Sequence, residues 1–217
     1  MAHDENYITY LHVAFNNMYE RAASQPAVII PCGGPTNCEP PFEGTEADMI
    51  VDYLGSLTQR SEIAHQTVQW HIIPERESLS TLENLLFAKN ILDKHKHVEH
   101  ITIFCEHTRQ KRVEVFAEQV FEQQVTVCAI DFDLSKNRYL DPEVIQTKET
   151  LATQEGLWTL EDRDRLALHH QLFEHKFAFL RAQQAKGIAH IDAIHTWYQH
   201  ERTFLKTHMP NHPLLTK

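Results

Sequence analysis

What this sequence lacks narrows its class before any motif is read. No apolar run approaches the roughly 18 to 20 residues that cross a bilayer, so no transmembrane helix is expected. The start, "MAHDENYITY", has neither the basic region nor the apolar stretch of a signal peptide, and the chain reads as cytosolic. Basic residues are in deficit: 20 Lys and Arg against 30 Asp and Glu leave a formal net charge of -10. That balance argues against gripping nucleic acid or anionic lipid through bulk charge, because such binders gain affinity from clustered Lys and Arg.

The motifs of several chemistries are missing too. No G-x-S-x-G elbow announces a serine nucleophile, and no H-E-x-x-H or Cys/His zinc spacing occurs. The 16 histidines include His95, His97 and His100 in "HKHVEH", and His190, His195 and His200 at intervals of five, a spacing that does not hold one helical face. No metal site is expected from them. None of the four cysteines stands in a Cys-x-x-Cys pair. Cys105 and Cys128 end or interrupt the apolar runs "ITIFC" and "VTVCAI", which suits buried reduced thiols. Cys32 and Cys38 flank a Gly-Gly-Pro turn, where a redox pair is conceivable.

What is present is an alternation. At 217 residues the chain suits one core with a modest appendage. Through the first 130 residues short β-rich runs alternate with amphipathic segments, which predicts an α/β fold, a parallel sheet with helices on both faces. A helix is expected over 8–23, a strand over 27–31, and a helix over 46–60 with Thr45 as N-cap and Asp48 in the capping-box position. A strand over 68–74 follows, then a helix opened by the S-x-x-E box of Ser80 and Glu83. "HITIFC" and "QVTVCAI" read as strands on either side of the helix "TRQKRVEVFAEQVF". Beyond about residue 140 the pattern turns helical: a helix capped by Thr159, with Leu168, Leu172, Phe173, Phe177 and Leu180 near one face, a break at Gly187, and a second helix. The division is thus an α/β core over 1–140 and a C-terminal helical hairpin over 141–217, packed on the core or on a second copy of the chain.

In open parallel sheets ligands bind beyond the carboxyl ends of the strands. Four polar clusters fall there: Gly33, Gly34, Thr36 and Asn37; Glu75, Glu77, Ser78 and Thr81; Glu106, His107, Thr108, Arg109 and Arg112; Asp131 and Asp133. A Gly-Gly pair lets backbone approach a phosphate or carboxylate, although a structural turn is the more frequent explanation of such a pair and the full G-x-G-x-x-G is absent. Glu75, just past a strand end, stands where a nucleotide's ribose hydroxyls are held in Rossmann-type sites. Ser80 and Glu83 satisfy local capping, which leaves Ser78 and Thr81 as spare hydroxyls near a helix N-terminus that attracts anions. Arg109 and Arg112, three apart, share one face and could neutralise a carboxylate or phosphate.

These residues together resemble the YdcF/SanA/ElyC-like family, the domain of unknown function numbered 218. Its pattern of an acid, two residues, Ser, two residues, Thr, one residue and Glu-Asn falls on Glu75, Ser78, Thr81, Glu83 and Asn84; its acidic-Ala pair falls on Glu46 and Ala47. The resemblance spans about residues 26–131. It lacks the family's first strand with its own Gly-Gly, and Arg109 stands where members carry a His. What the resemblance implies is a Rossmann-like fold with a small-molecule pocket, and S-adenosylmethionine as a candidate ligand, since some members bind it. The expected site is therefore Gly33, Gly34, Glu46, Glu75, Ser78, Thr81, Asn84, Arg109 and Arg112. Two other outcomes stay open: a transferase or hydrolase with Glu75 or Glu77 as general base, and an interaction protein working through its helical tail, with a homo-oligomer formed by the C-terminal helices.

Overall fold

The computed structural model describes residues 5–38, 44–95, 98–131 and 142–215. Among these the chain forms eight helices and four strands, a mixed α/β architecture. The order is α1 (Glu5–Ala22), β1 (Ala27–Ile29), α2 (Glu46–Thr58), α3 (Ala64–Thr67), β2 (Trp70–Ile72), α4 (Thr81–Leu92), β3 (Ile101–Glu106), α5 (Gln110–Val120), β4 (Val125–Ile130), α6 (Pro142–Leu160), α7 (Arg163–Gln184) and α8 (His190–His208). A 3-10 turn, His107–Arg109, joins β3 to α5.

The strands pair in parallel, as the alternation predicts, with helical crossovers between partners. Ala27 stands opposite Trp70 in the β1–β2 pair, and Ile101 opposite Val125 in the β3–β4 pair. The expected sheet differs in one respect: the described residues form two separate two-stranded sheets rather than one. β1 and β2 are only three residues each, although their pairing continues past them through Ile73 N to Ile29 O, Glu75 N to Pro31 O and a bridge between Cys32 and Glu75. α1 lies against both pairs. Its Phe15 and Tyr19 rings meet Trp70 of β2 edge-on, and its Arg21 Nη2 comes within 3.5 Å of Cys128 Sγ in β4.

Helix ends follow the capping chemistry where the sequence supplies it. Thr45 caps α2 by accepting from Asp48 N at 3.1 Å, and Ser80 caps α4 by accepting from Glu83 N at 3.3 Å. The second half of the α4 box is displaced, since Glu83 Oε2 accepts from Leu79 N at 2.6 Å. Thr159 is not a cap: it lies in the last turn of α6, and Asp162 opens α7 by accepting from Asp164 N at 2.7 Å. A short polar break at Glu161–Asp162 thus divides what reads as one helical stretch: the expected pair either side of Gly187 is α7 packed on α8, and α6 precedes it as a third C-terminal helix.

Three apolar clusters hold the chain together. Phe15, Leu54, Leu57 and Trp70 join α1, α2 and β2; Leu82, Leu85, Phe116 and Val120 join α4 to α5 beneath β3 and β4; Leu172, Leu180, Trp197 and Leu205 join α7 to α8. Cys38 belongs to the last cluster, and Arg181 Nη1 donates to Pro35 O at 2.6 Å, so the loop after β1 rests on α7. α6 packs on α5, with Gly156 against Phe116.

Candidate functional site

The glycines after β1 are held by the protein itself. Gly33 N donates to Glu75 O at 3.1 Å and Gly34 N to Ser78 O at 2.7 Å, so both N–H groups are paired within the chain. A Cβ on Gly34 would lie 2.7 Å from Ser78 O, and one on Gly33 would lie 2.7 Å from Glu46 Cβ. Gly33 also has φ of 140°, a region that disfavours side chains. Close backbone packing accounts for this pair.

The stretch after β2 closes on itself in the same way. Glu75 is buried, and its carboxylate accepts from Glu77 N at 2.6 Å, Ser78 N at 2.9 Å and the Ser78 hydroxyl. Glu75 and Ser78 therefore spend their polar capacity on shaping the loop that receives Gly33 and Gly34. Glu77 is exposed. Asn84 offers its backbone carbonyl to Cys32 Sγ at 3.7 Å. The four cysteines are free thiols. Burial first, and then the charges of Glu75 and Glu46, push Cys32 up to about 12, which keeps it protonated and poorly nucleophilic.

Ionisable groups gather at the strand ends around Glu46 and Arg109. Tyr7 of α1 donates to Glu46 Oε1 at 3.0 Å, and the Thr36 hydroxyl also bonds this carboxylate. Burial raises Glu46 above the ordinary carboxylate value, with Tyr7, Arg109 and Thr36 pulling in the opposite direction. Tyr10 stacks on Tyr7 with ring centroids 5.8 Å apart, and burial raises both phenols. Arg109 contacts Glu106 at 3.4 Å and lowers the pKa of Glu46, Tyr7, Tyr10 and Cys105 through its field. Asp131 follows β4 directly; Asp133 lies outside the described residues.

A second polar cluster lies at the N-terminus of α4, and it takes up Thr81 and Arg112. Arg112 turns away from the strand ends to Glu149 of α6, its Nη2 donating to Oε1 at 3.2 Å and its Nε lying 2.8 Å from Oε2. Ser80 Oγ is 3.0 Å from His169 Nε2 of α7. On the far side of that ring, His169 Nδ1 is 3.6 Å from Glu155 Oε1 of α6, and His212 Nε2 is 3.4 Å from the same oxygen. These two separations exceed a well-formed N–H···O bond, so the attraction is mainly electrostatic. Burial alone would raise Glu155, but His169 and His212 more than offset it and hold the carboxyl at about 2. A cavity of about 30 Å³ lies against this cluster, lined by Ser80, Thr81, Arg112, Phe116, Gly156 and His169 among others.

Glu155, His169, His212, Tyr7 and Tyr10 escape a motif search because they come from distant segments. Their spacing carries one usable signal: His169 precedes Leu172 by three and Phe173 by four, which sets it on the apolar face of its helix. The C-terminal helices expose Ile191 and Tyr198 of α8. No helix among the described residues is long and apolar enough to cross a membrane. Compared with family models, curated proteins and solved structures, the chain matches none of them.

Proposed function

We propose that the protein binds an anionic small molecule of nucleotide type at the carboxyl ends of its strands, in a Rossmann-like arrangement of which the two parallel pairs are the halves. One observation carries the reading. Arg109, which follows β3, acts electrostatically on Glu46, which packs on Gly33 after β1. In this reading the ends of both pairs open toward a common region, and it is lined by charged and aromatic side chains such as Glu46, Tyr7 and Tyr10, whose pKa values are displaced. Such clustering marks functional sites more often than chance.

In this reading Arg109, half-exposed and beside Glu106 at the end of β3, meets the anionic group. Glu46 takes hydroxyl or amine groups, and the Tyr7 and Tyr10 rings offer a face to a base or to a sulfonium, which keeps S-adenosylmethionine among the candidates. Gly33, Gly34, Glu75 and Ser78 act one step back by fixing the loop on which Glu46 rests. A thermal-shift screen with S-adenosylmethionine, its demethylated product, nucleotides, sugar nucleotides and phosphorylated metabolites tests it. A ligand at 100 times its dissociation constant adds about 2.7 kcal/mol of stability. A rise in melting temperature that Arg109→Gln abolishes supports the proposal; no rise with any compound, or one that Arg109→Gln leaves intact, refutes it.

A further inference from the structure

We propose that Ser80, His169 and Glu155 form a nucleophile, base and orienting acid that hydrolyse esters of small carboxylic acids. The three come from α4, α7 and α6, and they stand in the order such chemistry requires. Ser80 Oγ is 3.0 Å from His169 Nε2, within reach for direct proton transfer. Glu155 Oε1 faces the other nitrogen of the ring at 3.6 Å, the side from which an acid orients the base in such an array while Nε2 is turned to the serine. His169 is buried at 3% exposure, and among the described residues its Nδ1 makes no hydrogen bond, so its approach to Glu155 is a looser polar contact. Glu83 N, donating to Ser80 Oγ at 3.3 Å, fixes the side-chain rotamer.

The surroundings supply the remaining parts. The cavity beside Ser80 and His169 is polar along Ser80, Thr81 and Arg112 and apolar along Phe116 and Phe173. Its volume, about 30 Å³, suits an acyl group of acetyl size better than a longer chain. α4 begins at Thr81, so the positive end of its dipole lies beside Ser80, and Arg112 lines the same cavity.

The step balances with water as co-reactant. Ser80 Oγ bonds to the ester carbonyl carbon as its proton passes to His169 Nε2, and the carbonyl π electrons move to oxygen. Collapse of that oxyanion breaks the bond to the alcohol oxygen, which leaves with the proton from His169 and gives acyl-Ser80. Water then adds, giving a proton to His169, and the second collapse releases the carboxylic acid as Ser80 Oγ recovers its proton.

The test uses p-nitrophenyl acetate with the full-length protein, the wild type compared with Ser80→Asn. Asn preserves the helix cap but supplies no nucleophile, so the variant keeps its fold where Ser80→Ala would lose a cap. The expected result is p-nitrophenolate release by the wild type, an acetyl group on the Ser80 peptide by mass spectrometry, and a fall of at least about 100-fold in Ser80→Asn. p-Nitrophenyl butyrate should react far more slowly than the acetate. A folded wild type that gains no acetyl group at Ser80, or a Ser80→Asn variant that keeps the wild-type rate, overturns the proposal. Neither outcome bears on ligand binding at Arg109, which the thermal-shift screen reads separately.

Discussion

Replacing Gly156 by Ala should destabilise the fold, although Ala is the better helix former. Gly156 lies inside α6, where helix propensity alone favours Ala by about 0.8 to 1.0 kcal/mol. The new Cβ would stand 2.2 Å from Phe116 Cζ and 2.6 Å from its Cε1, separations that real Cβ atoms do not tolerate. Phe116 cannot simply yield, because it is 1% exposed at the centre of the cluster with Leu82, Leu85 and Val120. Overpacking of this kind costs about 1 to 3 kcal/mol, and 2.2 Å puts Gly156→Ala at the upper end. The net loss should be about 1 to 2 kcal/mol, lowering the melting temperature by about 2 to 8 °C in a chain of this size. Gly55→Ala in α2 is the matched control: its Cβ would meet nothing within 4 Å, so stability should rise by about 0.5 to 1 kcal/mol. Urea denaturation with an unchanged slope measures both. Equal or greater stability in Gly156→Ala would refute the reasoning about how α5 and α6 meet. Pairing it with Phe116→Leu should recover part of the loss, since the two changes share one contact.

Thr159 is fully buried and its hydroxyl has no partner among the described residues, so Thr159→Val should stabilise the fold by about 1 kcal/mol, read as a higher urea midpoint. Glu155, held at about 2 against an ordinary 4.5, contributes stability that is complete above about pH 4.5 and is lost as pH falls toward 2. That loss should reach about 3 kcal/mol, and Glu155→Gln should flatten the acid limb of the stability profile. Glu46 behaves oppositely. Its folded value is raised, so the protonated form stabilises the fold at low pH and that stability is lost as pH rises through the folded value. Glu46→Gln should therefore be more stable than the wild type at neutral pH, in a thermal melt, while binding ligand more weakly.

Local chemistry was the legible part of this chain. Thr45 and Ser80 cap the helices they should, Gly187 ends α7 with φ of 78°, and the strand partners run in parallel. Each of these depends on residues a few positions apart. Thr159 was misleading because a Thr near a helical pattern predicts a cap only if the helix begins there; α6 was already running, and Asp162 offered a better acceptor. The Glu75 stretch shows the same limit from the other side. Its acid, serine and glycine partners read as ligand groups, but Gly33 and Gly34 sit about forty residues earlier, and only the folded chain brings their N–H groups to this loop. Ser80, His169 and Glu155 come from three helices with 89 positions between serine and histidine, and no spacing rule reaches that far.

The binding proposal and the Rossmann-like reading rest on Arg109, after β3, acting on Glu46, beside the loop after β1. A double-mutant cycle on folding stability with Glu46→Gln and Arg109→Gln measures that directly. Glu46→Gln should stabilise the Arg109→Gln protein by at least about 0.5 kcal/mol more than it stabilises the wild type, because the guanidinium that eases the buried carboxylate is gone. Additivity within about 0.3 kcal/mol would mean that the two strand ends do not meet at one site.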